Sequence, residues 1–149
     1  MQENVEAQSQ ASKPVKTNSW TKNIVEDVDA PELYSPRAIW GFSVFFSVIF
    51  GAVLLASNIT DRKAKWMAIG FGIVYTAVVI VIVNLLPQTN SGIVIGLNAG
   101  GALILTKLFW DKYVGAETKF RTKAIWRPLI ISILITIPFL LAIIYGQDN

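Results

Sequence analysis

Four long apolar stretches separated by short polar ones follow a polar first quarter of the chain. Residues 1–37 repeat Gln, Glu, Lys, Ser and Asn with no sustained apolar period, which predicts a disordered tail. The first apolar run, AIWGFSVFFSVIFGAVLLASNI, covers Ala38–Ile59 with 22 uncharged residues. As a helix it rises about 33 Å, enough to cross a hydrocarbon core of about 30 Å. After TDRKAK, a second uncharged run extends from Trp66 to Pro87. Its VVIVIV stretch has the composition of a buried strand, but a lone strand in lipid leaves its amides unpaired, so a helix is expected. QTNSG reads as a turn, and the third run, Ile93–Phe109, is shorter, glycine-rich and carries Asn98. A re-entrant or broken helix is the alternative there. The fourth run, Pro128–Tyr145, has Pro128 in its first turn and Pro138 inside, where a proline is expected to kink the helix.

The pattern predicts an all-α fold, an integral membrane four-helix bundle with a disordered N-terminal tail. The domains are a tail over 1–37 and a transmembrane unit over 38–146, with helices at about 38–59, 66–87, 93–109 and 128–145. Trp40, Trp66, Trp110, Trp126 and Tyr145 stand at the edges of the runs, as an interfacial aromatic belt requires. The opening residues lack the basic and apolar regions of a secretory signal, so the first run is expected to stay as an anchor. Glu26, Asp27, Asp29 and Glu32 make the end of the tail acidic: a solvated linker, or else a short docking segment.

Composition agrees, with 53% hydrophobic and 15% charged residues. The chain has no Cys and no His, which removes disulfides, thiolate chemistry, Ser-His catalysis and the commonest metal ligand. No catalytic, cofactor-binding or metal-binding residue is expected, and no enzyme. No Asp, Glu or Arg lies within a run, so the intramembrane carboxylate of a proton-coupled exporter is missing, and Lys107 can snorkel to headgroups.

With four passes, the 60–65 and 110–127 loops share one side and the tail and C-terminus the other. The loop side collects Arg62, Lys63, Lys65, Lys107, Lys112, Lys119, Arg121, Lys123 and Arg127, nine basic residues against four: Lys13, Lys16, Lys22 and Arg37. The positive-inside rule then places the loops in the cytoplasm and both termini outside. Arg62, Lys63, Lys65, Lys119, Arg121, Lys123 and Arg127 are candidates for anionic lipid headgroups. The 110–127 loop interleaves them with Trp110, Tyr113, Phe120 and Trp126, which beside two spans favours the membrane surface over nucleic acid; an acidic protein partner is the alternative.

GIVIGLNAGG, residues 92–101, lacks the preceding strand and the Gly-x-Gly-x-x-Gly spacing of a dinucleotide loop. Gly92, Gly96 and Gly100 instead repeat every four residues, a ridge on which another helix can pack closely. Ser43, Ser47 and Gly51 form a matching ridge on the first helix. Asn98, the strongly polar side chain deepest in the runs, is expected to bond across helices, or else to meet a passing solute.

LYSPRAIWGFSVFFSVIFGAVLLASNI and IWRPLIISILITIPFLLAIIYG resemble a group of small four-pass bacterial membrane proteins of uncharacterised function. The resemblance implies a bacterial inner-membrane location and carries over no site residue. The expected role is a structural or interaction subunit of a membrane assembly, with a membrane protein or a second copy as partner; the alternative is a homo-oligomeric channel or holin-like pore.

Overall fold

The computed structural model describes residues 20–146. Among them the order is a two-residue strand β1 (Glu32–Leu33), helices α1 (Pro36–Phe45), α2 (Val48–Asn58), α3 (Arg62–Leu85) and α4 (from Ser91), strand β2 (Arg121–Thr122) and helix α5 (Trp126–Gly146). α4 is α-helical to Leu103 and continues through two wide π-helical segments, Ile104–Phe109 and Asp111–Gly115. Three of these helices are long and apolar enough to cross a membrane: α3 with 24 residues, α4 with its π continuation at 25, and α5 with 21.

The first apolar run departs from the expected single helix. It breaks at Phe46 and Ser47, where Ser47 takes an extended backbone (φ 166°, ψ 165°) between two helical segments. α1 and α2 then lie against each other as a hairpin. A Cβ on Gly51 would fall on Ser43 Oγ and come within 2.7 Å of the Ile39 carbonyl oxygen, positions that a straight helix places about 12 and about 18 Å away. The ends of the hairpin meet as well: the Asn58 side chain accepts from the Tyr34 N–H at 2.9 Å and donates to the Tyr34 carbonyl at 2.8 Å. Each arm, at 10 and 11 residues, rises about 15–17 Å, half of a hydrocarbon core. The break held as the alternative for the third run falls in the first, and the third is continuous.

Local chemistry sets the element ends. Ser35 caps α1, its Oγ accepting from the Ala38 N–H, and Pro36 occupies the first turn, where a missing N–H costs nothing. Asp61 caps α3 through the N–H groups of Lys63 and Ala64, so α3 begins a turn before the apolar run. It stops at Leu85 because Leu86 precedes Pro87 and is driven to an extended conformation (ψ 129°). Asn90 caps α4 by accepting from the Ile93 N–H at 3.1 Å. Gly115 ends the π continuation in the left-handed region, φ +107°, which a side chain rarely tolerates. VVIVIV is helical, as expected, and α5 runs through Pro138 as one helix.

The hairpin is the core. Ile39, Phe42, Val48, Ala52, Leu55 and Ile59 are buried, with Ala64 and Ala68 of α3 and Leu105 of α4 packed on them. Small residues let the backbones approach: a Cβ on Gly72 would meet Ala52 Cβ at 2.5 Å and Ile49 Cα at 3.1 Å, and one on Gly101 would meet the Tyr75 ring at 2.7 Å. α3 and α4 run antiparallel, as the pairings Phe71–Phe109 and Tyr75–Leu97 require. The outer faces of α3 and α4 are apolar and exposed, and α5 is exposed over most of its surface, with Ser132 buried and Pro128, Leu129 and Thr136 half-buried.

Candidate functional site

Three features of this frame carry chemistry, and the first is a cap at the end where α3 begins. Residues 1–19 of the expected disordered tail lie outside the described residues. The part from Trp20 onward folds back along the segment after Gly115. Parallel pairing joins Glu32 to Arg121 and Leu33 to Thr122, with a further bridge between Ile24 and Phe120. Arg121 fastens it three ways: its backbone N–H donates to Pro31 O at 2.9 Å, its Nε donates to Ala30 O at 3.1 Å, and its guanidinium meets Glu32 at 3.3 Å. Lys22 and Glu117 add an exposed ion pair at 3.7 Å. Phe120 roots the cap in the core, its ring edge-on to Trp110 with centroids 5.4 Å apart.

Trp110 is therefore a core residue and leaves the aromatic belt, whereas Trp66, Trp126 and Tyr145 are exposed. The π turns account for this. Their wider period lets Leu105, Thr106 and Trp110 follow one another inward while Lys107, Leu108, Asp111 and Lys112 turn out.

The cap corrects the expected division of sides. Because the first run turns back, the tail lies at the same end as the 60–65 and 110–127 segments instead of opposite them. Every Lys, Arg, Asp and Glu among the described residues is in this cap or within the adjoining helix turns, none between Trp66 and Thr106 and none after Arg127. Arg62, Lys63, Lys119, Lys123 and Arg127 are exposed and Lys65 is half-buried. Arg121, expected at headgroups, spends its guanidinium on the tail. Lys123 places its Nζ 5.1 Å from the centre of the Tyr34 ring.

The second feature is the hairpin tip. The N–H of Ile49, in the first turn of α2, donates to Thr76 Oγ1 at 3.3 Å, and Tyr75 OH donates to Leu97 O at 2.8 Å. Asn98 is buried, 7% exposed, one turn from Gly101 and on the same face of α4. No hydrogen bond joins its side chain to another described residue, and no fully buried side-chain N or O atom among the described residues lacks a partner. These uncharged polar groups gather where α2 points its positive end, about half-way along α3.

The glycine ridge is arranged differently from expectation. A Cβ on Gly96 would meet nothing within 4 Å, one on Gly92 only its own cap Asn90, and one on Gly100 only Tyr75 OH at 3.0 Å. Ser43 and Gly51 do meet, but within the hairpin, and the close interhelical contacts fall at Gly72 and Gly101. Gly101 is one residue off the four-residue repeat, on the face that also carries Asn98 and Leu105. Gly101 carries no spacing signal of its own, whereas Gly72 stands four residues before Thr76, a short small-residue repeat.

The third feature is a groove of about 600 Å³ between α1 and the start of α5. Ser35, Arg37, Thr122 and Lys123 stand at its cap end, and Ala38, Gly41, Phe42, Phe45, Phe46, Ile125 and Leu129 line the rest. Among the described residues no group of His, Cys, Asp and Glu is arranged to hold a metal ion.

No family model, curated protein or solved structure matches the chain.

Proposed function

We propose that the chain is a multi-pass integral protein of a bacterial inner membrane, with α3, α4 and α5 as spans and α1–α2 as a re-entrant hairpin, and that it serves as an interaction subunit of a membrane assembly. One observation carries this reading: among the described residues charged side chains are confined to one folded end, and the remaining exterior is apolar over the length of three helices. Water does not tolerate so large a continuous apolar exterior, and a bilayer does.

The positive-inside rule then puts the cap in the cytoplasm with the tail, and Gly146 on the opposite side. Counted this way, the split of basic residues becomes one-sided, which favours it over the arrangement with both termini outside. Two surfaces suit partners. The cap is a pinned platform whose Glu26, Asp27, Val28 and Asp29 are exposed. α5 presents an apolar surface that the other described residues scarcely touch, with only 6% of its spanning window buried against 28% for α4. Photo-crosslinking residues at Val28 and Leu134 test the reading in living cells. Adducts of fixed mass at either site are expected, and the absence of any adduct at both would end the interaction role.

A second reading, a homo-oligomeric pore, is favoured by one observation, the hairpin tip. Irregular backbone at membrane depth is tolerated where protein buries it or where it lines a cavity, and helix ends at mid-depth are a device of ion pathways. Purified protein in dye- and ion-loaded vesicles separates the two. Leakage that Asn98→Leu abolishes supports the pore, and tight vesicles support the interaction role.

A further inference from the structure

We infer that the groove between α1 and α5 binds one phospholipid with an anionic headgroup, drawn from the leaflet on the cap side. The inference rests on the membrane placement proposed above. Its first argument is length. From Ser35 to Phe46 the groove follows eleven residues of helix, a rise of about 16 Å, which matches one leaflet of a core about 30 Å thick. The hairpin tip thus ends the groove where an acyl chain ends. The second argument is the distribution of chemistry along it. The cap end offers Arg37, exposed and outside both ion pairs of the described residues, with Lys123 and the Ser35 hydroxyl, and no carboxylate lines it.

Backbone adds to this positive end. Pro36 has no N–H, and the Ala38 and Ile39 N–H groups are taken by Ser35, so the Arg37 N–H at the start of the ten-residue helix has no helical acceptor. Below the mouth the lining turns wholly apolar. A Cβ on Gly41 would meet nothing within 4 Å, and Phe45, at the end of α1 beside the hairpin tip, is 80% exposed. A phosphate diester at the mouth with a hydrocarbon tail along Gly41, Phe45 and Leu129 satisfies both ends at once. A free phosphate satisfies only the first, and an apolar helix only the second.

The test uses the full chain purified in mild detergent, after confirming that it partitions with membranes; a chain that stays in the aqueous fraction refutes the membrane placement and the groove's ligand together. Native mass spectrometry then follows titration with phosphatidylglycerol, phosphatidylcholine of the same acyl chains, and inorganic phosphate. One tightly retained phosphatidylglycerol is expected, with phosphatidylcholine weaker and phosphate unbound. Each basic residue near an anionic lipid is worth about a fivefold change in affinity, so Arg37→Gln with Lys123→Gln together weaken phosphatidylglycerol about 20- to 30-fold and leave phosphatidylcholine unchanged. Gly41→Leu, which fills open space, displaces either lipid while thermal stability holds. Equal binding of the two lipids, phosphate binding as tight as lipid, retention undiminished by Gly41→Leu, or a second copy occupying the groove would each overturn the assignment.

Discussion

Replacing Gly51 by alanine separates the hairpin from a straight helix, because the two arrangements give the change opposite signs. In a straight helix over 38–59, Gly51 is one of two glycines, with Gly41, in an apolar environment. Alanine there gains up to about 1 kcal/mol of helix propensity. In the hairpin the new methyl sits on Ser43 Oγ and 2.7 Å from the Ile39 carbonyl oxygen. The hydroxyl can rotate away, but the carbonyl belongs to the backbone of the facing arm. Restoring an ordinary contact moves that arm by several tenths of an ångström in a region where Ile39, Ser43 and Leu55 are fully buried. Overpacking of this kind costs about 1–3 kcal/mol, so after a propensity gain of about 1 kcal/mol a net loss of up to about 2 kcal/mol remains. Gly41→Ala, with nothing within 4 Å, is the internal control and should stabilise. For a chain of this size 1 kcal/mol moves the midpoint by about 2–4 °C, so the overpacking cost alone should separate the two variants by about 2–12 °C in thermal unfolding in detergent. Ser43→Ala combined with Gly51→Ala recovers part of the loss and leaves the carbonyl's share. Equal stabilisation by Gly41→Ala and Gly51→Ala would refute the hairpin.

Other outcomes follow from the same contacts. Asn58→Leu removes two half-buried hydrogen bonds to Tyr34, costs about 1–3 kcal/mol, and speeds amide exchange at Tyr34. Arg121→Gln removes both the exposed Glu32 pair and the part-buried Nε–H bond to Ala30 O and weakens the cap by about 2–3 kcal/mol, and the reversed pair Glu32→Arg with Arg121→Glu regains only the ion-pair share, up to about 1 kcal/mol at low salt. A reporter fused to Asn149 is active only outside the cytoplasm, while a cysteine placed at Lys119 of this Cys-free chain is labelled only from inside. Gly96→Leu leaves the monomer's stability within about 0.5 kcal/mol, since nothing faces it, and any effect on self-association reports a second copy.

Much of the architecture is legible in the apolar pattern, because the quantity that pattern measures, transfer of a helical segment out of water, is the one that fixes α3, the length of α5 and the turn at Pro87. The same quantity is blind to the path a segment takes. Twenty-two uncharged residues transfer equally well as one helix crossing a bilayer or as two half-length helices that enter and return. What distinguishes the hairpin is one extended residue, Ser47, and a glycine, Gly51, small enough to lie on the arm that carries Ser43. Serine is a common helix-start residue, but its side chain makes no capping bond here, and nothing local marks it. The cap was illegible for a different reason: Glu32 and Arg121 lie far apart in the chain, and two-residue strands carry no period.

One signal did point past the window, and it was electrostatic. Four passes left four basic residues on the wrong side of a nine-to-four division, among them Arg37 at the very edge of the first run. Turning that run back into a hairpin brings Lys22 and Arg37 to the end that holds the other basic residues of the described chain. The change costs no additional charge burial, since no charged residue lies within the run. Where hydropathy cannot choose between a span and a re-entrant hairpin, the residue of unexplained charge on the minority side is the quantity that favours one over the other.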